Sequence, residues 1–332
     1  MGKKVFVIIL AAALTVCTSL AFAGGKPEKN VIGIAKIVSH PALDAVEQGI
    51  QDQLNEMGYN FEYDLQNANG ELSTAASIAN KFKSENVRIA VGIATPTSQA
   101  LANAFKGTDT VVIYTAVTDP VSAGLVKSLD KGEQNITGVS DMTPVKEQIE
   151  LLNKITPIQK LGHVYCSSEA NARTLADMAK EACKQMGIKF VEATVTNSAE
   201  VKQATQTIID KVDGLYVSTD NTVVSALSAL TEVSMKNDVP VMSADPSSAE
   251  KFDVLAAWGF DYYKMGRATG KLIAEIIEGK APENIPTRFM TDPSDVELLI
   301  NLDVAEDLGL DIPQSVMENA STVIEDGELK KL

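Results

Sequence analysis

The chain has 332 residues, 45% of them hydrophobic, with 29 Lys and Arg against 44 Asp and Glu and a formal charge of −15. So large an apolar share excludes a disordered chain and suits one or two domains, while the acidity argues against a nucleic-acid partner, which would need a basic surface. Two histidines and three cysteines without a close pair leave too few nitrogen and sulfur ligands for a zinc centre, and no metal or other cofactor is expected.

The first element is an export signal. Lys3 and Lys4 precede the apolar run 5–14, and Ala21-Phe22-Ala23 supplies small residues for cleavage after Ala23. A lipid-anchored form is not expected, because the branched Val16 precedes Cys17 where lipid attachment needs a small residue. Strands and helices then alternate. A strand is expected at 31–38, a helix at 43–57 stopped by Gly58, a strand at 61–65, a helix at 72–84, a strand at 88–94, a helix at 98–105 and a strand at 111–116. Beyond Pro120 the pattern resumes with helix 145–154, strand 161–166, helix 170–186 ended by Gly187, strand 189–193, helix 199–211, strand 214–218, helix 222–236 and strand 239–243. A short strand at 255–259, a long helix at 262–278, a strand at 296–302 and a short helix at 304–308 complete it.

Alternation of this kind implies an α/β fold with open, mostly parallel sheets and helices on both faces. The length favours two lobes, 24–118 plus 260–288 and 119–259 plus 289–332, with the first crossover at Thr118-Asp119-Pro120 and no flexible linker. Ligands of such sheets sit beyond the carboxyl ends of the strands. The loops expected to face a cleft are therefore Ser39-His40-Pro41, Thr95-Pro96-Thr97, Thr118-Asp119-Pro120, Ser167-Ser168-Glu169, Thr219-Asp220-Asn221 and Ala244-Asp245. Their hydroxyl, amide and carboxylate groups adjoin helix starts, where free N–H groups suit a carboxylate, although the same residue types cap helices in any protein. Asp220 is the sharpest candidate, since Asn221 could cap the next helix and leave Asp220 to pair with a ligand cation.

No nucleophile elbow and no P-loop occur, and an enzyme is not expected. Asp119, Glu169, Asp220 and Asp245 are the carboxylates that could still meet in space. His163 lies in an apolar run and reads as a core residue, whereas His40 lies in a cleft loop. Cys166 and Cys183 are expected to be free and buried, and the Gly266/Gly270 pair is expected to let a helix approach its sheet.

Several of these segments carry a resemblance. Thr118 to Val126, Glu169-Ala170-Asn171, Ser218 to Val223, Asp261 to Arg267, and the closing stretches Ile300 to Ala305 and Leu308 to Pro313 are similar to the ABC-transporter substrate-binding proteins of the tryptophan/tyrosine type. The resemblance implies a type I periplasmic-binding-protein fold with three crossovers between its lobes. It also implies a monomer in the periplasm that closes around a small solute, favouring an amino acid, and delivers it to an inner-membrane permease with a cytoplasmic ATPase. By position, Ser39 and Thr95 to Thr97 match the first-lobe ligand loops, and Glu169, Asn171, Asp220 and Asn221 the second-lobe side. The family usually has Asn-Pro where this chain has Cys166-Ser167, Ser at Ala172 and Gly-Ala at Asp253-Val254. A sugar or nucleoside ligand is the competing expectation, for which Trp258, Tyr114, Tyr165 and Tyr216 would supply aromatic walls, and a sensing role without transport is the third.

Overall fold

A computed structural model describes residues 30–332; the expected signal segment and Cys17 lie outside the described residues. The chain begins with β1 (Val31–Lys36), α1 (Pro41–Glu56), β2 (Glu62–Asn67), α2 (Leu72–Glu85), β3 (Ile89–Ile93), α3 (Thr95–Ala104), β4 (Val111–Thr115) and β5 (Ile136–Ser140). It continues through α4 (Val145–Ile155), β6 (Lys160–Cys166), α5 (Ala170–Met186), β7 (Lys189–Val195), α6 (Val201–Ile208), β8 (Gly214–Val217), α7 (Asn221–Val224), α8 (Leu227–Met235), β9 (Val241–Ser243), α9 (Pro246–Ala249) and β10 (Ala256–Phe260). The remainder is α10 (Tyr262–Ile277), β11 (Arg288–Phe289), β12 (Val296–Asn301), α11 (Leu302–Asp307), α12 (Gln314–Met317), β13 (Thr322–Glu325) and β14 (Glu328–Lys331).

The strands form two sheets, ordered β11-β5-β4-β3-β1-β2 and β14-β13-β12-β10-β9-β8-β6-β7. All pairings in the first are parallel, and the second is parallel from β7 to β10, antiparallel between β10 and β12, parallel between β12 and β13, and antiparallel between β13 and β14. Both are buried on two faces, which is why the central strands read as nearly continuous apolar runs. Neighbouring residues in the second sheet serve opposite cores: Val217, Ala257 and Leu299 pack on one side, Tyr216, Ala256 and Ile300 on the other.

The chain passes between the sheets three times: after β5, after β10 and between β11 and β12. The first passage is therefore not at 118–120, as the sequence reading had it; residues 119–140 stay with the first sheet, because β5 pairs with β4. The expected helix 222–236 is also two, α7 and α8, separated by Ser225 and Ala226.

Helices α1 and α10 lie against each other in the first lobe, and glycine sets their separation. A Cβ on Gly266 would fall 2.3 Å from the Val46 carbonyl oxygen, and one on Gly49 2.3 Å from that of Tyr263. The Gly266/Gly270 pair thus serves a helix–helix contact rather than the helix–sheet contact expected. Since α1 starts at Pro41 and α10 at Tyr262, this contact fixes two helix starts beside the crossover. His163 is a core residue as expected, its ring stacked on Tyr165 and Tyr216 and its Nδ1 2.8 Å from the Tyr216 carbonyl. Cys166 and Cys183 are buried and unpaired.

Candidate functional site

The carboxyl ends of the parallel strands in both sheets meet at one cleft. From the first lobe α1 touches α9 and α3 touches α5 of the second, and the start of α1 reaches the cavity through His40, whereas no residue of α3 lines it. It encloses about 290 Å³ including its mouth, with His40, Leu43, Ala116 and Tyr262 on the first-lobe wall, Asn171, Thr219, Asp220, Asn221, Val224 and Asp245 on the second, and Asp141 at the crossover. The lining carries three aspartates and no lysine or arginine, so the field inside favours a cation, while the helix start at His40 and the nearby Lys36 charge supply positive potential.

His40 precedes α1 in an extended conformation and makes no side-chain cap. Its Nδ1 lies 4.0 Å from the Asp245 carboxylate across the cleft, and neither ring nitrogen has a hydrogen-bond partner within the protein. Burial lowers its basicity, with Asp245 and Asp44 opposing the effect. Thr95 opens α3 after Ala94, a non-glycine residue at φ 77°, and its buried hydroxyl is also unpartnered. Ala116, on the cavity wall, is likewise at positive φ, 52°; such conformations are costly and collect at ligand sites.

Asp220 does not stand free, as the sequence reading supposed. One of its oxygens accepts the Val223 N–H at 3.0 Å, capping α7, and the other the Cys166 N–H at 2.6 Å. Asn221 instead donates its amide to Glu169 at 2.5 Å, and Glu169 also accepts the backbone N–H and hydroxyl of Thr222. Burial and the nearby Glu169 charge push the Asp220 carboxyl above its usual range. Asp245 caps α9 by accepting the Ser248 N–H at 3.2 Å. Asn171 donates to the Thr219 carbonyl at 3.1 Å, leaving its own carbonyl oxygen unpartnered, as are the Ser218 and Thr219 hydroxyls. Of the buried polar atoms without partners, those of His40, Asn171 and Thr219 line the cavity, where a ligand could satisfy them.

The other expected site residues are turned to local work. Ser39 donates to Asp44 at 2.7 Å, Asp119 accepts the N–H groups of Val121 and Ser122 in its own turn, and Ser167 donates to the Val195 carbonyl. Thr97 spends its hydroxyl on the Ile93 carbonyl at 2.6 Å, while Pro96 sits in the first turn of α3. Thr118 is buried and donates to Asp141 at 3.2 Å. Of the four aromatic residues considered as walls, Tyr114 bonds Thr287, Tyr216 bonds Gln148 and Tyr165 stacks on His163, and neither they nor Trp258 line the cavity.

Five lining residues, Leu43, Ala116, Asp141, Val224 and Tyr262, escaped the sequence reading, and two of them are hydrogen-bonded to each other. The Tyr262 hydroxyl donates to Asp141 at 3.0 Å, and burial raises the Asp141 carboxyl to about 6 despite this bond and that from Thr118. Tyr262 was visible within the Asp261-Tyr262-Tyr263 motif. Asp141 had no signal, because its partner lies 121 residues further along the chain.

The chain was compared with known proteins. A tyrosine-binding protein of Clostridioides difficile is 37% identical over 92% of this chain and 87% of its own length. A Streptococcus pneumonia ABC domain solved in complex with L-Trp superposes with a TM-score of 0.84 at 34% identity, covering 89% of this chain and 99% of that one. The ligand-free, open structure of a substrate binding protein with adhesive properties from Clostridium difficile covers the same shares at 36% identity, but with a TM-score of 0.65. The fold is that of type I periplasmic binding proteins. The family model for ABC transporter substrate binding protein matches residues 31–324, so the chain belongs to that solute-binding family.

Proposed function

We propose that the protein is the exported receptor of an ABC importer, that it captures an amino acid with an aromatic side chain, and that it works as a monomer in the periplasm, closing around the ligand and presenting it to a permease served by a cytoplasmic ATPase. The observation that carries this reading is the cleft itself: three aspartates and no basic residue, the helix start at His40, and buried polar atoms without partners. An ammonium is attracted by Asp141, Asp220 and Asp245. A carboxylate is met by the N–H groups at the start of α3 with the Thr95 hydroxyl, and Leu43, Val224 and Tyr262 offer apolar contact to a side chain. The named ligands of two relatives, tyrosine and L-Trp, support the aromatic class. Ligand contacts to both lobes favour the closed arrangement, which a permease can read. The basic run, apolar stretch and Ala21-Phe22-Ala23 site support export.

The test is thermal melting of refolded, ligand-stripped protein against all amino acids, common sugars and nucleosides. Saturation at a hundred times the dissociation constant adds about 2.7 kcal/mol, a shift of a few degrees for a chain of this size. A shift confined to tyrosine, tryptophan or phenylalanine supports the reading. A cooperative transition that no amino acid moves would sink it.

A further inference from the structure

The first two crossovers are tied to each other twice. On the first-lobe side the Tyr262 hydroxyl, at the start of α10, donates to Asp141 at 3.0 Å. On the second-lobe side the tie is Gln148, a fully buried side chain of α4. Its amide nitrogen donates to the Thr143 hydroxyl and to the Trp258 carbonyl, each at 2.6 Å, and its oxygen accepts the Tyr216 hydroxyl at 2.6 Å. Thr143 belongs to the segment between β5 and α4. Trp258 lies in β10 just beyond the last pairing with β9, that of Ala257 with Ser243. One amide thus joins the first crossover, the strand that leads into the second, and the core of the second lobe, and none of these four residues lines the ligand cavity.

The ties leave little free chain. In the first crossover the Asp141 N–H is held by the Val117 carbonyl at 3.3 Å and the Met142 N–H by the Ser140 hydroxyl at 3.1 Å, both in the first lobe, so the free step is the one from Met142 to Thr143. In the second, Gly259, Phe260 and Asp261 separate the Trp258 carbonyl from Tyr262, and the Asp261 N–H is itself bonded to the Asp295 carbonyl of the third crossover at 2.8 Å. Gln148 spends both amide protons and its oxygen on these contacts, a demand that an apolar side chain of the same volume does not meet.

We propose that Gln148 is the positioning residue of the hinge: it confines bending to those few residues and so keeps the ligand-free lobes near the arrangement that binds. The inference rests on the closure reading above and deepens it. Releasing Thr143 and Trp258 lengthens the free chain at both crossovers, adds conformations to the open ensemble, and leaves closure more entropy to remove. The binding-competent share falls, and every apparent affinity falls with it by one common factor. A residue that touches the ligand acts differently, changing the affinity for one ligand more than for another.

The experiment is calorimetric titration of the full mature protein and of Gln148→Leu, Thr143→Val and Tyr216→Phe with tyrosine, phenylalanine and tryptophan, together with small-angle scattering of each ligand-free protein and melting curves to verify folding. Gln148→Leu is expected to weaken every ligand that the parent protein binds by the same factor, about fivefold or more, and to enlarge the ligand-free protein. Thr143→Val, which cuts one tie, moves both readings the same way by less. Tyr216→Phe keeps both ties, so it melts earlier but retains the parent affinities and the parent radius. Parent-like affinities in Gln148→Leu, a loss that differs from ligand to ligand, or the same loss in Tyr216→Phe would overturn the hinge role while leaving the aromatic reading intact. Binding of none of the three by the parent protein overturns the aromatic reading instead, and the ligand-free scattering then decides the hinge, an unchanged radius in Gln148→Leu counting against it.

Discussion

Asp220 shows how a residue can be near a ligand and still be structural. Its two oxygens hold the start of α7 and the end of β6 together by accepting the Val223 and Cys166 N–H groups. Replacing it with alanine removes a helix cap and leaves two buried N–H groups without acceptors, a loss of about 2 kcal/mol or more. Asp220→Ala is thus expected to melt earlier than the parent protein even without ligand, and its loss of binding alone cannot assign the ammonium contact. Urea denaturation showing parent-like stability for this variant would remove the capping role. The sequence placed Asp220 in the right loop but gave it the wrong freedom. Side chains beside a helix start can face the cleft or turn back to the backbone, and spacing does not separate the two, as Ser39, Asp119 and Ser167 show by turning away.

The α1–α10 pair links packing to the site at the level of elements. Gly49, Gly266 and Gly270 bring the two backbones together, and the helices start beside His40 and at Tyr262. Gly266→Ala gains about 1 kcal/mol of helix propensity but forces a methyl group against the Val46 carbonyl 2.3 Å away, so a net loss of about 1–3 kcal/mol is expected. Ligand affinity should fall with it, because separating the helices shifts His40 and Tyr262. Lys271→Ala, at an exposed position of the same helix, should stay within about 0.5 kcal/mol of the parent. Chemical denaturation of the two variants decides the matter, and equal midpoints would refute the close-contact argument. Elements of this length were legible in the sequence: α1, α5 and α10 show helical periodicity and are followed by Gly58, Gly187 and Gly279, all at positive φ. Strand β5 was not. Its Thr137 and Ser140 are polar yet fully buried, their hydroxyls donating to the Ile285 and Thr118 carbonyls, and Gly138 sits against the Tyr114 carbonyl. Burial built on internal hydrogen bonds leaves no apolar run to read, and missing this strand moved the expected crossover to 118–120.

For the whole molecule the question is what holds the lobes together. Two relatives of nearly equal identity and coverage differ in TM-score, 0.84 for the L-Trp complex against 0.65 for the ligand-free open structure. The arrangement described is thus nearer that of the L-Trp complex than that of the open structure, with His40 facing Asp245 across the cleft. Closure of an acidic cleft is opposed by burying its carboxylates. Asp141 sits at the first crossover, and its carboxyl is raised from 3.8 to about 6, mainly by burial, with the second-lobe Asp245 adding to the rise. A state with a raised carboxyl binds the proton more tightly, so its advantage is complete below the ordinary carboxylate value and is lost as pH rises through about 6. Acidification from pH 7 toward pH 4 is therefore expected to favour the compact form of the ligand-free protein through Asp141. His40 acts in the opposite sense, because burial lowers its basicity and protonation favours opening. The diagnostic is the difference between the parent protein and Asp141→Asn in small-angle scattering across that range. The parent protein should become compact relative to the variant as pH falls below about 6, and saturating ligand should compact both at pH 7. Identical pH profiles for the two proteins would show that Asp141 does not report on closure and that its raised carboxyl belongs to the first lobe alone.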